Sequence, residues 1–217
     1  VNSGSLEKEL LAKYGRPTAD ALVESALNSV KLVENMGFED IVVSIKSTDV
    51  MLTIESYLKM SKVSCYPLHL GITEAGTKLS GSVKSSVGLG IILYNGVGDT
   101  LRVSLTGDPV DEVYAAREIL RSLKLLQGGI EVVSCPTCGR TNVDLVKIAE
   151  RIEERTRRLK VKKPMKVAVM GCAVNGPGEA READIGIAGG KGEFLLFVKG
   201  EIIRKIPQQN AIEEFIK

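Results

Sequence analysis

Between residues 18 and 126 the apolar positions alternate between two periods, and the alternation repeats. "TADALVESALNSVKLVENMG" (18–37) spaces its Ala, Leu and Val residues as one helical face and ends on Gly37, a residue suited to the stop. "DIVVSIKS" (40–47) is a β-branched run of strand length. "DVMLTIESYLKMSK" (49–62) returns to the helical period with Asp49 as its cap. The cycle continues through a strand at "YPLHLGIT" (66–73), a helix at "SGSVKSSVGLGIILYNG" (80–96) and a strand at "DTLRVSLT" (99–106). It closes with a helix at "DPVDEVYAAREILRSLKLL" (108–126), where Asp108 caps and Pro109 takes the first helical position. Strand–helix units of this length predict an α/β fold with a parallel sheet and helical crossovers. "IVVSI" and "LHLGI" are apolar nearly throughout, as strands covered on both faces are. Polar residues gather where the strands end: Ser44, Lys46 and Ser47, then Thr73 and Glu74, then Ser104 and Thr106. Those C-terminal ends are where α/β sheets and barrels bind ligands. Three strands and the end of a fourth make either an open sheet or about half of a closed barrel.

After Leu126 the rhythm changes. "QGGIEV" (127–132) breaks the pattern, and strand "IEVVS" leads into a loop with two cysteines. A helix over 142–159, strand "KVAVMG" (166–171), the Gly/Pro-rich loop "CAVNGPGEAREAD" and strand "IGIAGG" follow. "EFLLFVKGEIIRKI" predicts a hairpin about Lys199–Gly200, and "QNAIEEFIK" a short final helix. Two domains are expected, 1–128 and a smaller α+β domain at 129–217. The opening "VNSGSLEKELLAKYG" begins with turn residues, as though a strand had just ended, so a preceding segment is expected.

Composition narrows the partners. Hydrophobic residues make up 44% of the 217, enough to build a core. The net charge is +2 and the basic residues are scattered, whereas a nucleic-acid footprint would gather them on one face. The densest basic stretch, "RIEERTRRLKVKK" (151–163), also carries Glu153 and Glu154 and reads as a solvated helix face. No apolar run approaches the roughly 18 residues that span a bilayer. Four cysteines in a chain of this size fit the cytoplasm better than a secreted disulfide scaffold. The expectation is a cytoplasmic protein without nucleic acid or membrane partners.

The cysteines carry the chemistry. "SCPTCGR" (134–140) holds Cys135 and Cys138, and "MGCAVNGPGEA" (170–180) holds Cys172 in a loop whose glycines let the backbone curl close to something bulky. A redox disulfide between Cys135 and Cys138 is one reading, because CxxC precedes a helix in an α/β setting. It leaves Cys172 and its loop without a task. Structural zinc is the second, but it takes four Cys/His ligands. The second motif offers one cysteine, and the single histidine, His69, lies in the first segment. A cubane iron–sulfur cluster is the third, with CxxC reaching two irons and Cys172 another. The iron left without sulfur suits an oxygen ligand such as Glu179, seven residues after Cys172. On the residues alone all three stay open, and a carboxylate in a Gly-rich loop is by default merely solvated.

"SCPTCGRTNVDL" and "GCAVNGPGEAREADIGIAGG" closely resemble the 4-hydroxy-3-methylbut-2-enyl diphosphate synthase family of the methylerythritol phosphate pathway. So do "VNSGSLEKELLAKYG", "SIKSTD", "LHLGITEAGTKLSGSVKSSVGLG" and "GDTLRVSLTGDPVDEV", in the same order and across the chain. The resemblance implies the C-terminal part of a (β/α)8 barrel, followed by an iron–sulfur domain of sulfite/nitrite-reductase-like type. It implies a [4Fe–4S] cluster on Cys135, Cys138, Cys172 and Glu179, with Glu179 also catalytic. It implies an oxidoreductase that opens 2-C-methyl-D-erythritol 2,4-cyclodiphosphate, electrons from reduced flavodoxin or ferredoxin, and a homodimer. Family members carry further N-terminal strands with diphosphate-gripping arginines, so these residues alone are expected to be inactive. A zinc-ribbon binding module is the alternative function.

Substrate contacts are expected at strand ends from Asn2, Lys46, His69, Glu74, Lys84 and Arg102, with Asn175 beside Cys172. Lys84 is expected just inside a helix opening at Ser80, where backbone N–H groups favour phosphate. Each of these is, on the plain reading, a solvated or core-satisfied polar residue. Cys65, in a turn before Pro67, reads as structural.

Overall fold

The Thr18 hydroxyl accepts from the Ala21 N–H and Asp49 accepts from the Leu52 N–H, so two helices start where the capping residues stand. The computed structural model describes residues 1–157, 159, 161–173 and 180–216. They form two compact units, Val1–Leu126 and Gln127–Lys217, dividing two residues before the expected boundary at 128. No helix among the described residues is long and apolar enough to cross a membrane.

The first unit comprises α1 (Lys8–Tyr14), α2 (Ala19–Asn35), α3 (Val50–Met60), β1 (His69–Gly71), α4 (Lys78–Tyr94), β2 (Thr100–Arg102) and α5 (Pro109–Ser122). Four extended segments lie side by side in chain order and all run parallel. Asn2 pairs with Lys46, Val43 with Leu68, and β1 with β2 through His69↔Thr100 and Gly71↔Arg102. The continuous strand expected at 40–47 is only a pair of isolated bridges. The buried Tyr57 hydroxyl explains this. It accepts from the Ile45 N–H at 3.1 Å and donates to the His69 carbonyl at 2.5 Å. It therefore stands where the next rung of the ladder between Ile45 and His69 would form. Leu22, Ala26, Ile45, Ile54, Tyr57, Met60, Leu70, Leu89 and Ile92 build the core between these segments and the helices. α4 lies so close that a Cβ on Gly88 would stand 2.7 Å from Ile72 Cδ1.

The second unit is a five-stranded mixed sheet in the order β3 (Ile130–Ser134), β4 (Met165–Met170), β5 (Ile185–Gly189), β6 (Glu193–Val198) and β7 (Glu201–Pro207). The first three strands are parallel and the last two antiparallel. The hairpin turns on Lys199 and Gly200, with φ of 50° and 82°. Both are left-handed, which matches the twist of the strands they join. α6 (Leu145–Thr156) and α7 (Ala211–Ile216) complete the unit. Leu145, Ile152, Val167, Val169, Ile187, Phe194 and Ile206 form one buried cluster. Ala168, Met170, Ala180, Ala183, Ala188 and Phe197 form a second. α6 begins three residues later than expected, because the backbone from Thr141 to Asn142 bonds to the neighbouring loops instead.

Candidate functional site

β3 and β4 are parallel neighbours with Ser134 opposite Val169, so the chain leaves both strands at the same end of the sheet. Cys135 is the next residue on one side and Cys172 lies just beyond on the other. The Gly171 N–H donates to Cys135 Sγ at 3.3 Å, which ties the two exits together. Thr141 makes the second tie. Its hydroxyl accepts from the Cys138 N–H at 3.2 Å, and its own N–H donates to the Cys138 carbonyl at 3.0 Å. The following residue, Asn142, donates its N–H to the Gly171 carbonyl at 3.1 Å. A Cβ on Gly171 would meet Thr141 Oγ1 at 2.9 Å, so only glycine lets the two cysteine loops lie this close.

The sulfurs differ in setting. Cys172 is buried, Cys135 half-buried and Cys138 exposed, and all three are free thiols. The Arg140 backbone N–H draws the Cys138 thiol below its ordinary range, with the Thr141 hydroxyl and the Arg140 charge adding to it. A cleft of about 310 Å³ beside Cys135 is lined by Pro136, Met170, Ala180, Glu182 and Ala183. Among the described residues no three His, Cys, Asp or Glu side chains form a group that could hold a metal ion as they stand. Glu179 and Asn175 lie outside the described residues. The fit to an iron–sulfur group is one of donor type and neighbourhood. Three thiols sit on two loops locked together, and one sulfur already accepts a backbone N–H as cluster ligands do.

In the first unit Lys46, His69 and Arg102 come together on adjacent parallel segments. The Lys46 side chain lies over Gly71, where a Cβ would be 3.3 Å from Lys46 Cε. Burial, then the Arg102 charge, holds the Lys46 ammonium below the usual lysine value. Burial also lowers His69, and the charges of Lys46 and Arg102 lower it further. The Lys46 and Arg102 charges thus form a positive patch beside His69. Its imidazole is uncharged at neutral pH, with Nδ1 2.8 Å from Thr100 Oγ1. Among the described residues neither Lys46 nor Arg102 has an ion-pair partner. Asn2 sits at the head of the row, paired with Lys46 along the backbone. A patch of cations with no carboxylate to neutralise it can take an anion with several oxygens.

The family profile described as the GcpE TIM-barrel domain matches residues 1–117, and that of the GcpE protein C-terminal domain matches residues 131–217. The chain belongs to the GcpE family. Relatives from Clostridium acetobutylicum and Clostridium perfringens are 60% and 61% identical to it over 217 residues. One from Bacillus subtilis is 58% identical. Each of the three carries the name 4-hydroxy-3-methylbut-2-en-1-yl diphosphate synthase (flavodoxin). All of this chain aligns in each case, but it spans only 62%, 62% and 57% of their respective lengths.

In this GcpE-family chain two expected residues need a different account. Lys84 does not sit at a helix opening. α4 starts at Lys78 behind Thr77, so Lys84 is exposed well inside the helix, past the free N–H groups of its first turn. Cys65 is an exposed free thiol rather than a packed structural one. Glu74 is exposed at the end of the segment following β1, with a left-handed φ of 51° unusual for its type. Sequence reasoning missed Tyr57 and Thr141. Tyr57 looked like one more apolar helix position, and only the parallel register shows its hydroxyl inside the sheet. Thr141, three residues after Cys138, had a spacing signal that nothing in the composition distinguished from an ordinary loop threonine.

Proposed function

We propose that this chain carries part of an iron–sulfur reductase that converts 2-C-methyl-D-erythritol 2,4-cyclodiphosphate to 4-hydroxy-3-methylbut-2-enyl diphosphate. Two single electrons from reduced flavodoxin or ferredoxin and two protons are consumed. The carbon–oxygen bond to the ring phosphate and the adjacent carbon–hydroxyl bond both break, and a carbon–carbon double bond forms between those two carbons. The freed phosphate oxygen keeps one proton, and the hydroxyl leaves with the other as water. The observation that carries this reading is the Gly171 N–H bond to Cys135, which joins the two cysteine loops. The names of the relatives support the product and flavodoxin as the donor.

On this reading the second unit is the cluster domain, related to sulfite and nitrite reductase modules, and the first is the substrate-binding part of a barrel. Cys135, Cys138 and Cys172 hold a [4Fe–4S] cluster, with Glu179 as its oxygen ligand. When bound, the cluster supplies electrons singly and a Lewis-acidic iron. Lys46 and Arg102 hold the diphosphate, and neutral His69 donates or accepts a hydrogen bond without repelling a cation. Asn2, Glu74 and Asn175 are further contacts at strand and loop ends. The protein is a cytoplasmic homodimer, and these residues alone lack full substrate affinity. A zinc-ribbon module would need a second Cys/His pair near Cys172, and the single histidine is in the other unit.

The test is Glu179→Ala in a protein supplying the full length of the relatives, assayed with cyclic diphosphate and reduced flavodoxin. Iron and sulfide should stay bound while product formation falls at least about 100-fold, the scale on which a catalytic group acts. Turnover equal to the parent protein would remove Glu179 from the reaction, and no turnover by the parent would remove the reaction itself.

A further inference from the structure

Gly71 ends β1, and its φ lies outside the left-handed region, so the backbone there does not call for glycine. Glycine weakens a strand, and within one it marks a place where another group comes close. Gly88 and Gly98 face the core, where a Cβ would stand 2.7 Å from Ile72 Cδ1 and 2.4 Å from Leu70 Cδ1. Gly71 is different. A Cβ there would lie 3.3 Å from Lys46 Cε, 3.9 Å from Lys46 Cδ and 3.5 Å from the Arg102 carbonyl oxygen. Only the Cε contact is tighter than ordinary van der Waals distance, so what glycine admits is the Lys46 stem.

Register shows why the stem lies there. Val43 pairs with Leu68 and Gly71 with Arg102, so Lys46, Gly71 and Arg102 stand level on three adjacent parallel segments. Leu70 is buried in the core, so His69 and Gly71 on either side of it share the opposite face. The side chains of His69 and Thr100 meet on that face at 2.8 Å, and Arg102, two residues after Thr100, belongs to it as well. Two cations therefore flank a position that has no side chain.

We infer that Gly71 is a positioning residue for the anion site: the side chain it lacks leaves a notch in which the Lys46 stem lies across β1 toward Arg102, so that both cations reach one phosphate. A larger residue would lift Lys46 off β1 and part the two charges. Like charges held this way repel until an anion lies between them, which selects a phosphate-sized group with several oxygens. The inference rests on the assignment of Lys46 and Arg102 to the diphosphate.

A double-mutant cycle tests it in a protein supplying the full length of the relatives, with affinity for the cyclic diphosphate read by titration calorimetry without reductant. Gly71→Val should weaken binding about 30-fold, near the loss of one charge-assisted hydrogen bond, and Gly71→Ala about threefold. The unfolding midpoint should hold or rise in both, since strands favour a side chain over glycine. A glycine kept for packing would lose stability instead. In a Lys46→Ala background Gly71→Val should weaken binding less than about threefold, because the group it displaces is gone. Should the valine variant not fold, Gly71→Ala completes the same cycle, its loss vanishing without Lys46. Binding by Gly71→Val equal to the parent's overturns the inference, and so does a loss that persists undiminished in the Lys46→Ala background. Lys46→Ala binding as tightly as the parent overturns the assignment of Lys46 to the diphosphate, and the inference with it.

Discussion

Replacing Lys46 with alanine is expected to cut affinity for the cyclic diphosphate by about 100-fold while leaving the unfolding midpoint unchanged or slightly raised. The binding loss follows from removing a charge-assisted hydrogen bond to phosphate, worth about 1.5–3 kcal/mol. The stability result follows from what surrounds the ammonium when no anion is present. Burial and the Arg102 charge both disfavour its protonated form. Lys46 also lacks an ion-pair partner among the described residues, so its truncation removes repulsion rather than attraction. A lysine kept for packing or structure would behave in the opposite way, losing stability and leaving affinity alone. Titration calorimetry with the diphosphate and thermal unfolding, both in a protein supplying the full length of the relatives, separate the two. A fall in stability with unchanged affinity would place Lys46 outside the binding patch.

The second large effect is expected at Gly171, which was chosen neither for charge nor for reactivity. Valine there should prevent cluster assembly and destabilise the second unit by about 2–3 kcal/mol, the scale of overpacking in a tight interior. A Cβ would meet Thr141 Oγ1 at 2.9 Å, Thr141 Cγ2 at 3.0 Å and Leu145 Cδ2 at 3.2 Å, and the two γ-methyls add to the clash. Relief requires moving Thr141, which holds Cys138 through two hydrogen bonds, away from the strand exit that leads to Cys172. Iron content after anaerobic reconstitution should fall more than about tenfold, and alanine should fall between glycine and valine. A valine variant that loads iron normally would show that the cysteine loops need not be this close.

What the sequence made legible and what it hid divide along a physical line. Local chemistry was readable: Asp49 and Asp108 cap the helices they precede, and the Lys199–Gly200 turn joins the hairpin. β3 covers the residues of "IEVVS" because a short β-branched run between Gly129 and Cys135 has few other choices. The cysteine motifs stood out by spacing. Whatever depended on register between distant segments did not. The run at 40–47 has the composition of a strand, yet Tyr57, from a helix, takes its bonds. α4 begins at Lys78 rather than Ser80, and that two-residue shift removes the helix-opening argument for Lys84, leaving its positive charge as the reason for choosing it. The patch of Lys46, His69 and Arg102 was assembled from strand ends by rule, whereas their mutual electrostatic influence follows only from adjacency in space.

Iron and sulfide content after anaerobic reconstitution of the four single Cys→Ser variants tests the central assignment most directly. The parent chain and Cys65→Ser should both load, because Cys65 is exposed and lies in the other unit. Cys135→Ser, Cys138→Ser and Cys172→Ser should each lose the cluster. Full loading of the Cys172 variant, or a parent chain that takes up zinc but no iron and sulfide, would contradict the account.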